Sequence, residues 1–379
     1  MDLDAAIRSL GLTDHHVHQA LAASPTGAEF EQLITEGDVP AAPRTTQFDS
    51  QVGFAIRRWC APLLDLEPFA APADYLERRT RLGGAEVARR LLRGSGITRF
   101  LVDTGFEAPG SFSLAEMAEV SGSQIDEIVR LETVAEQLAA SGCGASEFGA
   151  RFRDALWERS AAAVGLKSVV AYRFGLDFDP EPPSAAEITA AAGHWLSDAE
   201  RTGRVRLTDQ VLLRYLLWTG AQRGLPLQLH TGFGDRDLDL HRADPLLTAG
   251  FLERVEPLGV PVMLLHCYPF HRNAGALAQI FPHVYFDVGL ALHYTGARAD
   301  AIVAETLELA PFSKILFSSD AYGPPELHYL GALLWRRATA RVLGAWVDNG
   351  SWSQDDAIRV ASMIARGNAA RAYQLAART

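Results

Sequence analysis

The sequence predicts an α/β protein: a TIM-like (β/α)8 barrel with a helical insertion after its first strand. Three observations lead there. Eight short apolar runs recur along 379 residues, most of them separated by helix-patterned segments, and strands that alternate with helices pair in parallel. Several runs end in His or Asp just before a loop with Gly or Pro, where a barrel gathers its active site. No GxGxxG follows the first run, which argues against the runner-up, an open doubly wound sheet. One barrel domain over 1–379 suits this length.

The runs come in order as LTDHHVH (12–18), GITRFLVDTGF (96–106), IDEIVRLETV (125–134) and VGLKSVVAYRFGL (164–176), then LPLQLHTGFG (225–234), VPVMLLHCYPF (260–270), HVYFDVGLAL (283–292) and KILFSSDAYG (314–323). Between them, 184–201 and 208–224 carry helical patterns. The second opens on Thr208 as N-cap candidate and closes at Gly224. The interval 19–94 is too long for a simple βα connection and reads as a helical insertion covering the barrel mouth. A further helical stretch is expected over 135–163, and an amphipathic helix over 355–375.

Composition narrows the function. The chain is 48% hydrophobic and 21% charged, with a formal net charge of −11. No Lys/Arg block occurs, so no nucleic-acid partner is expected. No apolar stretch reaches the length of a membrane span, so no membrane partner is expected. The N-terminal MDLDAAIRSL does not read as a secretory leader. Three cysteines without a CxxC pair fit a reducing cytoplasm. The partner expected is a small-molecule substrate; a homo-oligomer is left open.

Three of the 11 histidines fall in four positions, His15, His16 and His18. Strand alternation puts His16 and His18 on one face, with Asp14 a step deeper and His15 turned towards the surrounding helices. His230 and His266 end their strands, and Asp320 ends the eighth. In a barrel these side chains converge, and imidazole with carboxylate suits Zn²⁺ or a related divalent ion. His194, His241, His271, His283 and His328 read as surface or structural, as does His15. Asp287 is either a polar contact or a site residue. His293 lies just past the seventh strand as a substrate-side candidate. Arg130 and Glu132 share a face near the end of the third strand. Arg173 could bind a substrate carboxylate, with Glu132 holding a substrate ammonium, orienting Arg173 or bracing the mouth with it. Lys167 is either at the site or a buried lysine paired with Asp14 or Glu132.

With DHHVH on the first strand, LH on the fifth and sixth, and SSD on the eighth, the chain resembles the amidohydrolase superfamily. GLKSVVAYRFGLD, HTGFGDRDLDL, LLHCYPFHRNAGALA, YFDVGLAL and SSDAYGPPELHYLGA narrow this to the amidohydrolase-2 branch and its FluG-like members. Some FluG-like proteins are fused to a glutamine-synthetase-like domain, which is not expected within these 379 residues. The resemblance implies a metal-dependent hydrolase barrel with His16, His18 and His230 as metal ligands. Asp320 would contact the metal and its water and move protons. His266 would polarise the carbonyl or bind a second metal. Some members carry a carbamylated lysine on the fourth strand, a role open to Lys167, although one ion, Zn²⁺ before Mn²⁺, is the reading taken here. The reaction expected is hydrolysis of a C–N bond in an amide, cyclic amide or γ-glutamyl-like compound. Non-oxidative decarboxylation of a small carboxylic acid and a non-catalytic regulatory module are the alternatives.

Overall fold

The computed structural model describes residues 2–375. Seven parallel strands form one sheet in chain order: β1 Leu12–Val17, β2 Ile97–Asp103, β3 Gln124–Arg130, β4 Gly165–Ser168, β5 Leu227–Thr231, β6 Val262–His266 and β7 Val284–Phe286. Each falls within, or one residue outside, a run named above. Their side chains are mostly apolar and buried because helices cover the sheet from outside. The sheet belongs to the TIM-like α/β class.

The expected eighth strand is not a regular ladder. Ile315 makes an isolated parallel bridge to Phe286 of β7. Backbone hydrogen bonds then tie the segment to β1: His15 N–H donates to Phe317 O, Asp320 N–H to His16 O, and His18 N–H to Ala321 O. The segment therefore lies between the two edges of the sheet and carries Asp320 to the first-strand histidines.

Two strands end earlier than expected. β3 stops at Arg130 because Leu131 opens the helix Leu131–Ala140, placing Glu132 in its first turn. β4 stops at Ser168 because side chains take its next amides. Val169 N–H donates to Glu132, and Val170 N–H to the Ser168 hydroxyl. Such local bonds compete with the ladder, and the chain turns into the short helix Val170–Arg173.

The helix predicted from Thr208 begins at Gln210, with Asp209 rather than Thr208 capping the Val211 and Leu212 amides. Within 19–94 lie the helices Gly27–Gln32, Gln51–Ala55, Pro72–Leu82 and Gly84–Gly94. Arg79 and Tyr75 on the third of these meet Glu326 of the long helix Pro325–Asp348, all buried. At the other end, Ala369, Ala372 and Tyr373 of the C-terminal segment pack with Leu101, Ile128, Met263, Leu265 and Leu316 to form the barrel floor.

Candidate metal centre

β1 does not alternate strictly. Its pairing runs Asp14 to Phe100 and Val17 to Val102, three residues against two. One extra residue makes a bulge, which turns successive side chains to unexpected faces. His15 therefore does not face the surrounding helices. It is fully buried, with Nε2 3.0 Å from Asp287 and Nδ1 3.0 Å from the Tyr373 hydroxyl on the barrel floor. Asp14 is absorbed by the Ser319 amide and hydroxyl.

His16 and His18 reach a common point with Asp320. Their ligand atoms all lie within 4.8 Å of one another. His16 Nε2 is 3.1 Å and His18 Nε2 3.8 Å from one Asp320 oxygen, and His266 Nδ1 is 3.1 Å from the other. His230 stands beside them, its ring centroid 4.5 Å from that of His266. The Nε2 of His230 and both ring nitrogens of His266 are buried without a well-formed hydrogen bond. His266 and Asp320 also sit at positive φ, 68° and 48°. Such backbone costs about 1–3 kcal/mol per residue and persists only where neighbours enforce it.

The donor set suits a divalent cation. Burial, with the nearby Lys167, holds His16 well below the usual histidine range. Burial likewise depresses His230 and His266. It takes His18 to about 4 despite the opposing pull of Asp103. These imidazoles are neutral near pH 7, the form that ligates metal. Burial pushes the Asp320 carboxyl well above its ordinary value, against the opposing pull of Lys167.

A buried network fixes the protons around this set. The amide atom of Gln228 that lies 2.7 Å from the His15 carbonyl must be the nitrogen, because a carbonyl only accepts. Gln228 Oε1 then faces His16 Nδ1 at 2.8 Å, so Nδ1 carries the hydrogen and Nε2 presents its lone pair to the site. Gln228 Nε2 also donates to Tyr373 Oη, whose own hydrogen goes to His15 Nδ1. His15 Nε2–H therefore donates to Asp287, which in turn accepts the His266 backbone N–H. Orienting contacts of this kind tune a metal ligand.

A cavity of about 590 Å³ opens above these groups. Lys167 and Arg173 both line it. Lys167 Nζ lies 3.4 Å from His16 Nε2, not beside Asp14 or Glu132. Arg173 pairs with Glu136 at 2.9 Å rather than with Glu132. Two expectations need correction. Glu132 is fully buried off the cavity, accepting the Ser168 hydroxyl and the Val169 amide, because β3 ended before it. His293 is fully buried on the helix Ala291–Thr295 and does not line the cavity. Arg130 does line it, gripped by Asp103 at 2.6 Å. Gln32, Thr35, Glu36 and Asp38 contribute from the segment after β1.

Sequence reading missed Gln228, Tyr373, Asp103 and Glu36. Gln228 left a signal, as a polar residue two before His230 in an apolar strand, and so did Asp103, an acid ending the second strand. The others are brought in from distant parts of the chain.

Parallel strands with imidazoles and a carboxylate gathered at their C-terminal ends define a class, the barrel-type metal-dependent hydrolases. The chain belongs to the amidohydrolase family: residues 136–375 match the amidohydrolase-2 model. It is 29% identical to Protein fluG of Emericella nidulans over 97% of this chain and 46% of that protein. The chain thus spans about half the length of this curated relative. Among solved structures, a Lactobacillus casei protein named a "putative metal-dependent hydrolase" superimposes with a TM-score of 0.86 at 28% identity, covering 98% of this chain and 97% of that one. A uronate isomerase from Bacillus halodurans shares the fold, with a TM-score of 0.67 at 14% identity over 99% of this chain and 96% of that one.

Proposed function

We propose that this chain hydrolyses a C–N bond of a small molecule, an amide, cyclic amide or γ-glutamyl-like compound, with one divalent ion, Zn²⁺ before Mn²⁺. The observation that carries this reading is the His16–His18–Asp320 group, with His266 against the second Asp320 oxygen. His16, His18, His230 and Asp320 would hold the ion. Such an ion, when bound, lowers the pKa of a water from about 15.7 to about 7 and polarises a carbonyl. Asp320 would take the attacking water's proton and deliver it to the leaving amine. His266 would donate to the carbonyl oxygen as charge develops there. Segment 19–94 would cover the mouth, supported by its residues along the cavity wall. Three free, buried cysteines support a cytoplasmic setting. No helix among the described residues is long and apolar enough to cross a membrane.

One observation favours a second arrangement. Lys167 Nζ, close to His16 Nε2, could bridge two ions as a carbamate. Metal content per chain, measured by elemental mass spectrometry on untagged protein, separates the two. About one ion supports the first reading; about two, with a carbon-dioxide adduct on the Lys167 peptide, supports the second. The His16→Ala/His18→Ala double variant should retain no metal, and full occupancy there would refute the ligand assignment. A screen of small amides for ammonia or amine release tests the reaction, and release of carbon dioxide instead would favour decarboxylation.

A further inference from the structure

Charge pairing within the cavity is uneven. Four arginines line it, and each already faces an acid. Arg130 is held by Asp103 at 2.6 Å and Arg173 by Glu136 at 2.9 Å. Arg206 is paired with Asp237 at 3.1 Å and Arg236 with Asp38 at 3.3 Å. The remaining cation, Lys167, lies against the metal-type donors. Two carboxylates on the same wall, Glu36 and Asp235, have no salt bridge with any cationic side chain among the described residues.

These two carboxylates share one corner. Each acts on the other's surroundings: Asp235 raises Glu36, and both act on Tyr172 and Tyr322. The Tyr172 hydroxyl lies 3.3 Å from the Asp235 amide as its acceptor. Tyr322 donates to Thr35 O at 3.3 Å, holding the segment that carries Glu36 against the strand end that carries Asp320. Glu36 Oε1 and Tyr294 Oη are both buried without a well-formed hydrogen bond, and the polar group that acts on Glu36 from within the protein is that neutral Tyr294 hydroxyl. Burial pushes Glu36 up to about 7, with no cation acting against it, and raises Asp235 against the pull of Arg206, which is itself paired with Asp237. A buried carboxylate that meets only a neutral hydroxyl still lacks a countercharge, which is costly. Tyr172 and Tyr322 offer aromatic faces on the same wall, which attract a cation.

We infer that the Glu36–Asp235 corner is a cation subsite, and that the substrate carries a protonated amine on the part that lies beyond the bond being cut. With the arginines already paired, the one charge this wall still lacks is positive. The inference rests on the hydrolytic reading for the word substrate, but the subsite itself is a binding property.

Three amides of equal length test it: 5-aminopentanamide, with a terminal ammonium; hexanamide, with a methyl in its place; and adipamic acid, with a carboxylate. Each is titrated into the metal-loaded protein by calorimetry, and ammonia release is followed separately. The cationic amide should bind at least tenfold tighter than hexanamide. Glu36→Gln should abolish that margin, Asp235→Asn should reduce it, and Asp154→Asn, at an exposed carboxylate off the cavity, should leave it unchanged. Equal binding, preference for hexanamide or adipamic acid, or no binding of the cationic amide at millimolar concentration would overturn the subsite. Cation-selective binding without ammonia release would keep the subsite and refute the hydrolytic reading. Equal ammonia release from hexanamide and 5-aminopentanamide would keep hydrolysis and refute the subsite.

Discussion

Gln228→Leu probes the buried network most directly. Gln228 makes three short contacts, to His16 Nδ1 at 2.8 Å, to the His15 carbonyl at 2.7 Å and to Tyr373 Oη at 2.8 Å. Leucine keeps most of the volume and removes all three. The His15 carbonyl and the His16 Nδ1–H are left buried, and each such group costs about 1–3 kcal/mol, so stability should fall by about 2–6 kcal/mol. His16 also loses the acceptor that keeps its Nε2 lone pair facing the site. Loss of such an orienting partner typically weakens metal binding about 10–100-fold, or about 1.4–2.8 kcal/mol. Competition with a chromophoric chelator measures that affinity, and ¹⁵N shifts of the His16 ring report its tautomer. Tyr373→Phe is the control. It breaks the relay to His15 but leaves the Gln228–His16 bond, so metal affinity should change less than in Gln228→Leu. Metal affinity of Gln228→Leu within twofold of the parent would refute the orienting role, whatever happens to stability.

Asp320→Asn should retain its metal and lose about 10²–10⁴-fold in turnover, the usual contribution of a positioned acid–base group; unchanged turnover removes Asp320 from proton transfer. Arg79→Met breaks the buried pair with Glu326 and should cost about 3–5 kcal/mol in urea unfolding, whereas adding Glu326→Leu should recover most of it; additive losses would refute the pairing. Burial alone would raise the Asp103 carboxyl, but Arg130, His18 and Lys167 together outweigh it and hold the group at about 2, below the ordinary 3.8. That contribution, about 2 kcal/mol at 1.36 kcal/mol per unit, is present above about pH 4 and lost as pH falls through about 2. Asp103→Asn should therefore flatten the acid limb of the stability profile, and an unchanged limb would point to other carboxylates.

Local pattern sufficed for much of this molecule. Apolar runs located every regular strand, since β-rich segments buried on both faces announce themselves by composition. Their last residues disclosed His16, His18, His230, His266 and Asp320, because parallel strands deliver their C-terminal ends to one mouth. The family resemblance followed from the same segments.

What escaped were features that depend on contacts between distant residues. The one-residue bulge in β1 is set by pairing with β2, so alternation misdirected His15. The helix opening at Leu131 ended β3 before Glu132 and removed it from the site, while side-chain capping by Glu132 and Ser168 ended β4 early and relocated Arg173. His293 was placed by proximity along the chain, yet its helix turns it into the core. Gln228, Tyr373, Asp103 and Glu36 acquire their roles only when the curled sheet brings them against the histidines or the cavity. Sequence by itself determined which chemistry the strand ends can hold. Tertiary structure decided which of those groups meet, which are already paired, and which charge the cavity still lacks, because burial and partnership are properties of the folded chain and not of any local stretch of it.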